Sequence, residues 1–214
     1  MYKSDLNTGK KLLKEGKVVI FPTETVFGLG GDATNSKAIK AIYDLKKRPK
    51  SNPLICHFKN ITEIKKNFYM NNLERKLANF FWPGPLTLIL EKKKDSKISS
   101  ILSKKKKFVC CRVPNNKIAL SLLKSLKFPV AAPSANINKK ISCTQSSDID
   151  SILKKKVFVI RGKSNLGLES TVLQIKNNKI HILRLGSITE EVIKKALKNI
   201  MEIMILELHL LHLI

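Results

Sequence analysis

The sequence predicts a mixed α/β domain, an open sheet flanked by helices. Short apolar runs of strand length alternate along the chain with stretches of helical periodicity. A hairpin signal at Asn177-Asn178 joins two of the later apolar runs and makes the sheet mixed. No linker-like composition or internal repeat interrupts the chain, and 214 residues suffice for one sizeable core. The common domain is expected over 1–200, with an apolar tail over 201–214 whose role the sequence does not assign.

In order, Asp5–Gly16 carries Leu6, Leu12 and Leu13 among lysines and ends on glycine, which predicts a surface helix. Val18–Pro22 is a buried strand stopped by proline. Asn35 or Ser36 can cap a helix reaching Lys47, with Ala38, Ile39, Ala41, Ile42 and Leu45 as its apolar stripe. Leu54–Phe58 reads as a strand, Glu74–Phe81 as a helix halted by Trp82-Pro83-Gly84-Pro85, and Leu86–Leu90 as a strand. Lys92–Lys107 is expected to be a mobile loop with one helical turn near Ile98–Leu102. Phe108–Val113, Val130–Ala132 and Val157–Ile160 are further strands, and Lys117–Ser125 and Asp148–Lys154 are helices. Glu169–Ile175 and Lys179–Leu185 form the hairpin, and a terminal helix begins near Thr189.

Within Val18–Ala33, Gly28, Gly30 and Gly31 follow a strand end and the Thr23-Glu24-Thr25 cluster. This reads as a glycine turn whose backbone N–H groups can approach a ligand. Gly28-x-Gly30-x-x-Ala33 formally matches a dinucleotide fingerprint. The intervening PTETVF and the lack of an acidic residue in the following PLICHF strand argue against that reading. No GxxxxGK[ST] sequence occurs.

The formal charge of +25 suggests a polyanionic partner, but nearly all of it is lysine, which a general compositional drift toward lysine explains somewhat better. Only five arginines are present, Arg48, Arg75, Arg112, Arg161 and Arg184, so each is a candidate for a specific task. Cys56, Cys110, Cys111 and Cys143 have neither CxxC nor zinc spacing and are expected as free thiols of a reducing, cytoplasmic protein. No secretory leader, membrane span or metal-ligand cluster is expected.

Polar groups recur after the apolar strands. Lys46, Lys47 and Arg48, with Asn52, can neutralise a polyphosphate. Ser134, Asn136, Ser142 and Thr144 suit ribose or phosphate oxygens, and Arg112 and Arg184 stand at strand ends. Taken singly, each hydroxyl or amide is better read as a cap or a turn residue; what favours a site is that several such groups follow apolar strands. No Ser-His-Asp arrangement can be argued. The inventory points to a nucleotide plus a small carboxylate, joined by positioning and electrostatics rather than by a covalent nucleophile.

PTETVFGLG (Pro22–Gly30), KKRP followed by NPL (Lys46–Leu54), WPGPLT (Trp82–Thr87), RVP (Arg112–Pro114), APSAN (Ala132–Asn136) and ESTV (Glu169–Val172) occur in this order. The succession resembles the YrdC-like threonylcarbamoyl-adenylate synthase family over roughly Leu12–Leu197. The resemblance implies a twisted open mixed sheet with a basic concave cavity. It also implies formation of L-threonylcarbamoyladenylate and pyrophosphate from L-threonine, bicarbonate and ATP, with Mg²⁺ on the nucleotide. The product feeds the N6-threonylcarbamoyladenosine modification of the tRNA adenosine beside the anticodon, through a tRNA threonylcarbamoyl transferase complex; whether the chain contacts tRNA directly is left open by the sequence. It places Thr25, His57, Arg112, the backbone at Ala132, and Ser170 on threonine. It places Arg48, Asn52, Ser134, Asn136, Ser142 and Arg184 on ATP, with Lys46 and Arg48 stabilising charge in the reaction. Phe27 stands where many relatives carry Tyr, and Cys143 in ISCT stands where SPT is usual. The alternative is a non-catalytic RNA-binding module of the same fold, motivated by the net charge.

Overall fold

The apolar run Val19–Pro22 (β1) does not lead into a glycine turn; it folds back as a hairpin on Phe27–Asp32 (β2). Val19 pairs with Gly30 and Phe21 with Gly28, antiparallel. The expected glycine turn is therefore a strand. The positive-φ glycines among the described residues are Gly16 and Gly167, so Gly28, Gly30 and Gly31 are not needed for left-handed backbone. A Cβ on Gly30 would lie 2.6 Å from both Phe21 Cε1 and Val130 Cγ1, and one on Gly28 would lie 3.2 Å from Ala132 Cβ. These glycines make room for a buried ring and a neighbouring strand. Gly30→Ala is expected to cost about 1–3 kcal/mol through overpacking. A lowered urea midpoint with an unchanged slope would show it, and an unchanged midpoint would refute the packing account.

The computed structural model describes residues 2–103, 107–136, 142–177 and 179–199. The remaining strands are Ile55–His57 (β3), Leu86–Glu91 (β4), Phe108–Arg112 (β5), Val130–Ala132 (β6), Phe158–Val159 (β7), Thr171–Lys176 (β8) and Lys179–Arg184 (β9). They form one sheet in the order β7-β1-β2-β6-β3-β5-β4-β8-β9. The pairs β1–β7, β3–β5 and β4–β8 are parallel, and the other neighbours are antiparallel. The predicted mixed sheet is thus found, including the hairpin of β8 and β9.

The helices are Tyr2–Lys14 (α1), Ser36–Lys46 (α2), Ile61–Asn67 (α3), Asn72–Phe81 (α4), Lys117–Lys124 (α5) and Ser151–Lys156 (α6). Residues 190–199 are also helical. Asn35 Oδ1 accepts from the backbone N–H groups of Lys37 and Ala38, which starts α2 at its predicted cap. A reciprocal pair of bonds between Asn71 and Glu74 starts α4. The sequence reading has no counterpart for α3. That helix is seven residues long, with Ile64 its one buried residue, so the periodic signal is short; Asn60 nonetheless caps it by accepting from Glu63 N–H at 3.0 Å.

Strand alternation divides the core into two layers. Val19, Phe21, Val130 and Ala132 pack with Leu13, Leu122 and Leu123 of α1 and α5. Ile20, Leu29 and Ala131 belong instead to the layer containing Ile39, Ile42, Leu77 and Ala78 of α2 and α4. The described residues 92–103 of the lysine-rich segment after β4 are tied down rather than loose. Ile98 and Leu102 are buried, Ser99 N–H donates to Ala33 O at 2.9 Å, and the Ser99 and Ser36 hydroxyls lie 2.8 Å apart. Residues 104–106 of that segment and the tail 201–214 lie outside the described residues. All four cysteines are buried free thiols, as expected.

Candidate functional site

A cavity of about 540 Å³ opens where β3, β5 and β6 end. At one end, parallel pairing sets His57 beside Arg112, the last residues of β3 and β5. Thr25, in the turn between β1 and β2, and Ser170, just before β8, complete this end.

The turn is rigid because Thr23 ties it together. Its Oγ1 donates to Val26 O at 2.7 Å and lies 2.8 Å from Thr25 Oγ1. The Glu24 carbonyl accepts from the N–H groups of Asn165 and Leu166, and the Thr25 carbonyl accepts from Gly167 N–H.

Arg112 is 2% exposed and held on three sides. Its Nε donates to Gly84 O at 3.2 Å and its Nη1 to Thr25 Oγ1 at 3.0 Å. Nη2 lies 2.6 Å from Glu24 Oε1, a close charge contact without the alignment of a hydrogen bond. Burial pushes the guanidinium pKa down and the Glu24 carboxylate opposes that shift. His57 is also buried. Desolvation first, and then the Arg112 charge, lowers its pKa to about 3, so its imidazole is neutral at ordinary pH. Its Nδ1 is buried without an aligned hydrogen bond, although the backbone of Val130 and Ile55 pulls its pKa weakly the other way. An orphan of this kind invites a ligand group.

The other end is cationic. Lys46 ends α2, and Lys47 takes left-handed backbone at φ 48°. That reversal sends Lys46 and Arg48 into the cavity while Lys47 stays exposed and does not line it, contrary to the expectation that all three would serve. Lys46 Nζ donates to the Ser134 carbonyl, and to Asn136 Oδ1 at 3.1 Å. Burial, then the Arg48 charge, lowers its pKa to about 8. Arg48 is braced by the loop that follows it, Nε donating to Asn52 O at 3.0 Å and Nη2 to Pro53 O at 3.1 Å. Arg184, on β9, pairs with Glu169 and donates to Ser170 O at 2.8 Å.

The residues singled out from the sequence, Thr25, Lys46, Arg48, Asn52, His57, Arg112, Ala132, Ser134, Asn136, Ser170 and Arg184, all line this one cavity. Ser142 does not line it. The described residues of the lysine-rich segment 92–103 do not line it either. Among the described residues there is no group of His, Cys, Asp or Glu able to hold a metal ion. The sequence reading overlooked the two counter-ions, Glu24 and Glu169. Both stand inside quoted motifs, and a buried arginine calls for a carboxylate nearby.

The chain matches the Sua5/YciO/YrdC family model, described as "Telomere recombination", over residues 11–186. It is 39% identical over 189 residues to the threonylcarbamoyl-AMP synthase of Bacillus subtilis (strain 168), covering 87% of this chain and 54% of that protein. It is 37% identical to a putative threonylcarbamoyl-AMP synthase of Methanocaldococcus jannaschii, covering 84% of each chain. The crystal structure of P. abyssi Sua5 complexed with L-threonine superposes with a TM-score of 0.84 at 35% identity, covering 92% of this chain and 58% of that one. The chain thus spans little more than half of some relatives and most of another. With the motif order, the sheet topology and the cavity in agreement, the chain belongs to the Sua5/YciO/YrdC family.

Proposed function

We propose that this protein is a threonylcarbamoyl-AMP synthase, converting L-threonine, bicarbonate and ATP into L-threonylcarbamoyladenylate and pyrophosphate. One observation carries the reading: a single cavity joins a buried guanidinium to a lysine–arginine end. An amino-acid carboxylate suits the first and a polyphosphate the second.

In this reading Arg112 takes the threonine carboxylate, and Thr25, His57, Ser170 and the Ala132 backbone frame the rest of the amino acid. Asn52, Ser134, Asn136 and Arg184, which line the cavity, hold ATP, which enters with Mg²⁺ as part of the substrate; Ser142, outside the lining, is dropped from that set. The threonine nitrogen takes up the carbon of bicarbonate with loss of water and a proton. An oxygen of the resulting carbamate attacks the α-phosphorus, and the bond to pyrophosphate breaks. Lys46 and Arg48 stabilise the charge that develops on the phosphate oxygens and on the departing pyrophosphate. We assign the product to the tRNA t6A modification in the cytoplasm, with hand-off to a tRNA threonylcarbamoyl transferase complex; a direct tRNA contact stays open.

Pyrophosphate release by the purified chain, dependent on both threonine and bicarbonate, is the test. No release from a demonstrably folded sample would overturn the reading. Steeply salt-dependent tRNA binding without ATP binding would favour the RNA-binding alternative that the charge of +25 suggests.

A further inference from the structure

We propose that Glu24 makes the amino-acid end of the cavity select a zwitterion over a simple carboxylate; the inference rests on the amino-acid reading of that end. Glu24 is 8% exposed, and its carboxylate oxygens are buried without an aligned hydrogen bond. Its one close polar contact among those found is the 2.6 Å approach to Arg112 Nη2. Arg112 lines the cavity and Glu24 does not, so the carboxylate lies behind the guanidinium.

The backbone that carries Glu24 is held in place. Its carbonyl is fixed by Asn165 and Leu166, and Thr23 braces the turn on either side of it. Arg112 and Glu24 therefore form a buried pair with no net charge, beside a neutral imidazole at His57. The nearby Glu169 and Arg184 cancel in the same way. An incoming carboxylate on Arg112 adds an uncompensated negative charge a few ångströms from Glu24, where water screens little. An α-amino acid brings an ammonium group with its carboxylate and leaves the pocket neutral. Glu24 thus acts through Arg112, as a positioning residue that sets specificity by repelling the wrong ligand.

Calorimetric titration of L-threonine and of 3-hydroxybutyrate, which is threonine without its ammonium group, into wild type and Glu24→Gln tests this. In wild type, threonine is expected to bind roughly tenfold or more tighter than 3-hydroxybutyrate. In Glu24→Gln, 3-hydroxybutyrate is expected to gain roughly tenfold while threonine does not gain, which a merely structural loss cannot produce. Equal weakening of both ligands would overturn the inference and leave the amino-acid reading intact. Absence of threonine binding to folded wild type would overturn that reading and the inference together. Should Glu24→Gln fail to fold, wild type still decides. Added methylammonium is expected to strengthen 3-hydroxybutyrate binding where sodium does not, and no such difference would count against the proposal.

Discussion

Arg112→Ala is expected to lose threonine binding by roughly a hundredfold or more, because a buried charged contact to the ligand is removed. The same substitution is expected to cost about 3–5 kcal/mol of stability, since Glu24 is left buried with no cation beside it. ATP binding at the Lys46–Arg48 end is expected to survive in whatever fraction remains folded. The double variant Glu24→Gln, Arg112→Ala separates the two effects: it should recover much of the stability and none of the threonine affinity. Urea denaturation and calorimetry on both variants measure this. Equal loss of threonine and ATP binding would mean that Arg112 does not belong to the amino-acid end alone, and no gain of stability in the double variant would mean that the unpaired carboxylate is not the cause.

Lys46→Met is expected to lower pyrophosphate-forming turnover by roughly 10²–10³-fold, the usual consequence of removing one donor aimed at developing charge. It also carries a pH signature. The Lys46 pKa is about 8 in the folded protein, against the ordinary 10.5 of lysine, because burial and then Arg48 disfavour its cation. Between these values the unfolded chain binds more protons, so stability must rise with pH across that window. Below about pH 8 the penalty is fully present, about 3 kcal/mol at most, and above about pH 10.5 it is gone. Wild type is therefore expected to gain stability relative to Lys46→Met between pH 7.5 and pH 10.5. Parallel pH–stability curves for the two proteins would show that Lys46 is not desolvated as the cavity geometry requires.

Strand positions were read well because the apolar runs are bounded by Pro and Gly, and the Asn35 cap announces its helix, whereas the Asn71 cap went unread and the helix of Asn72–Phe81 was started late, at Glu74. The glycines of Phe27–Asp32 were misjudged for a physical reason. A glycine that frees the backbone and a glycine that admits a neighbouring ring look alike in sequence, and only the 2.6 Å approach of Phe21 and Val130 to Gly30 distinguishes them. The helix Ile61–Asn67 escaped notice because one buried side chain makes no periodicity.

Chemistry and place were legible to different degrees. The residue types that can hold a carboxylate and a polyphosphate, and their position after apolar strands, follow from the sequence, because strand ends and helix ends are local properties. Which of them face one another does not. Arg112 meets Glu24 and Thr25 across 88 and 87 positions, and the left-handed backbone at Lys47 decides that Lys46 and Arg48 enter the cavity while Lys47 points to solvent. Burial and pairing depend on what the sheet order brings together over those distances. The neutral charge of the amino-acid end and the lowered pKa of Lys46 were therefore decided by the tertiary structure alone.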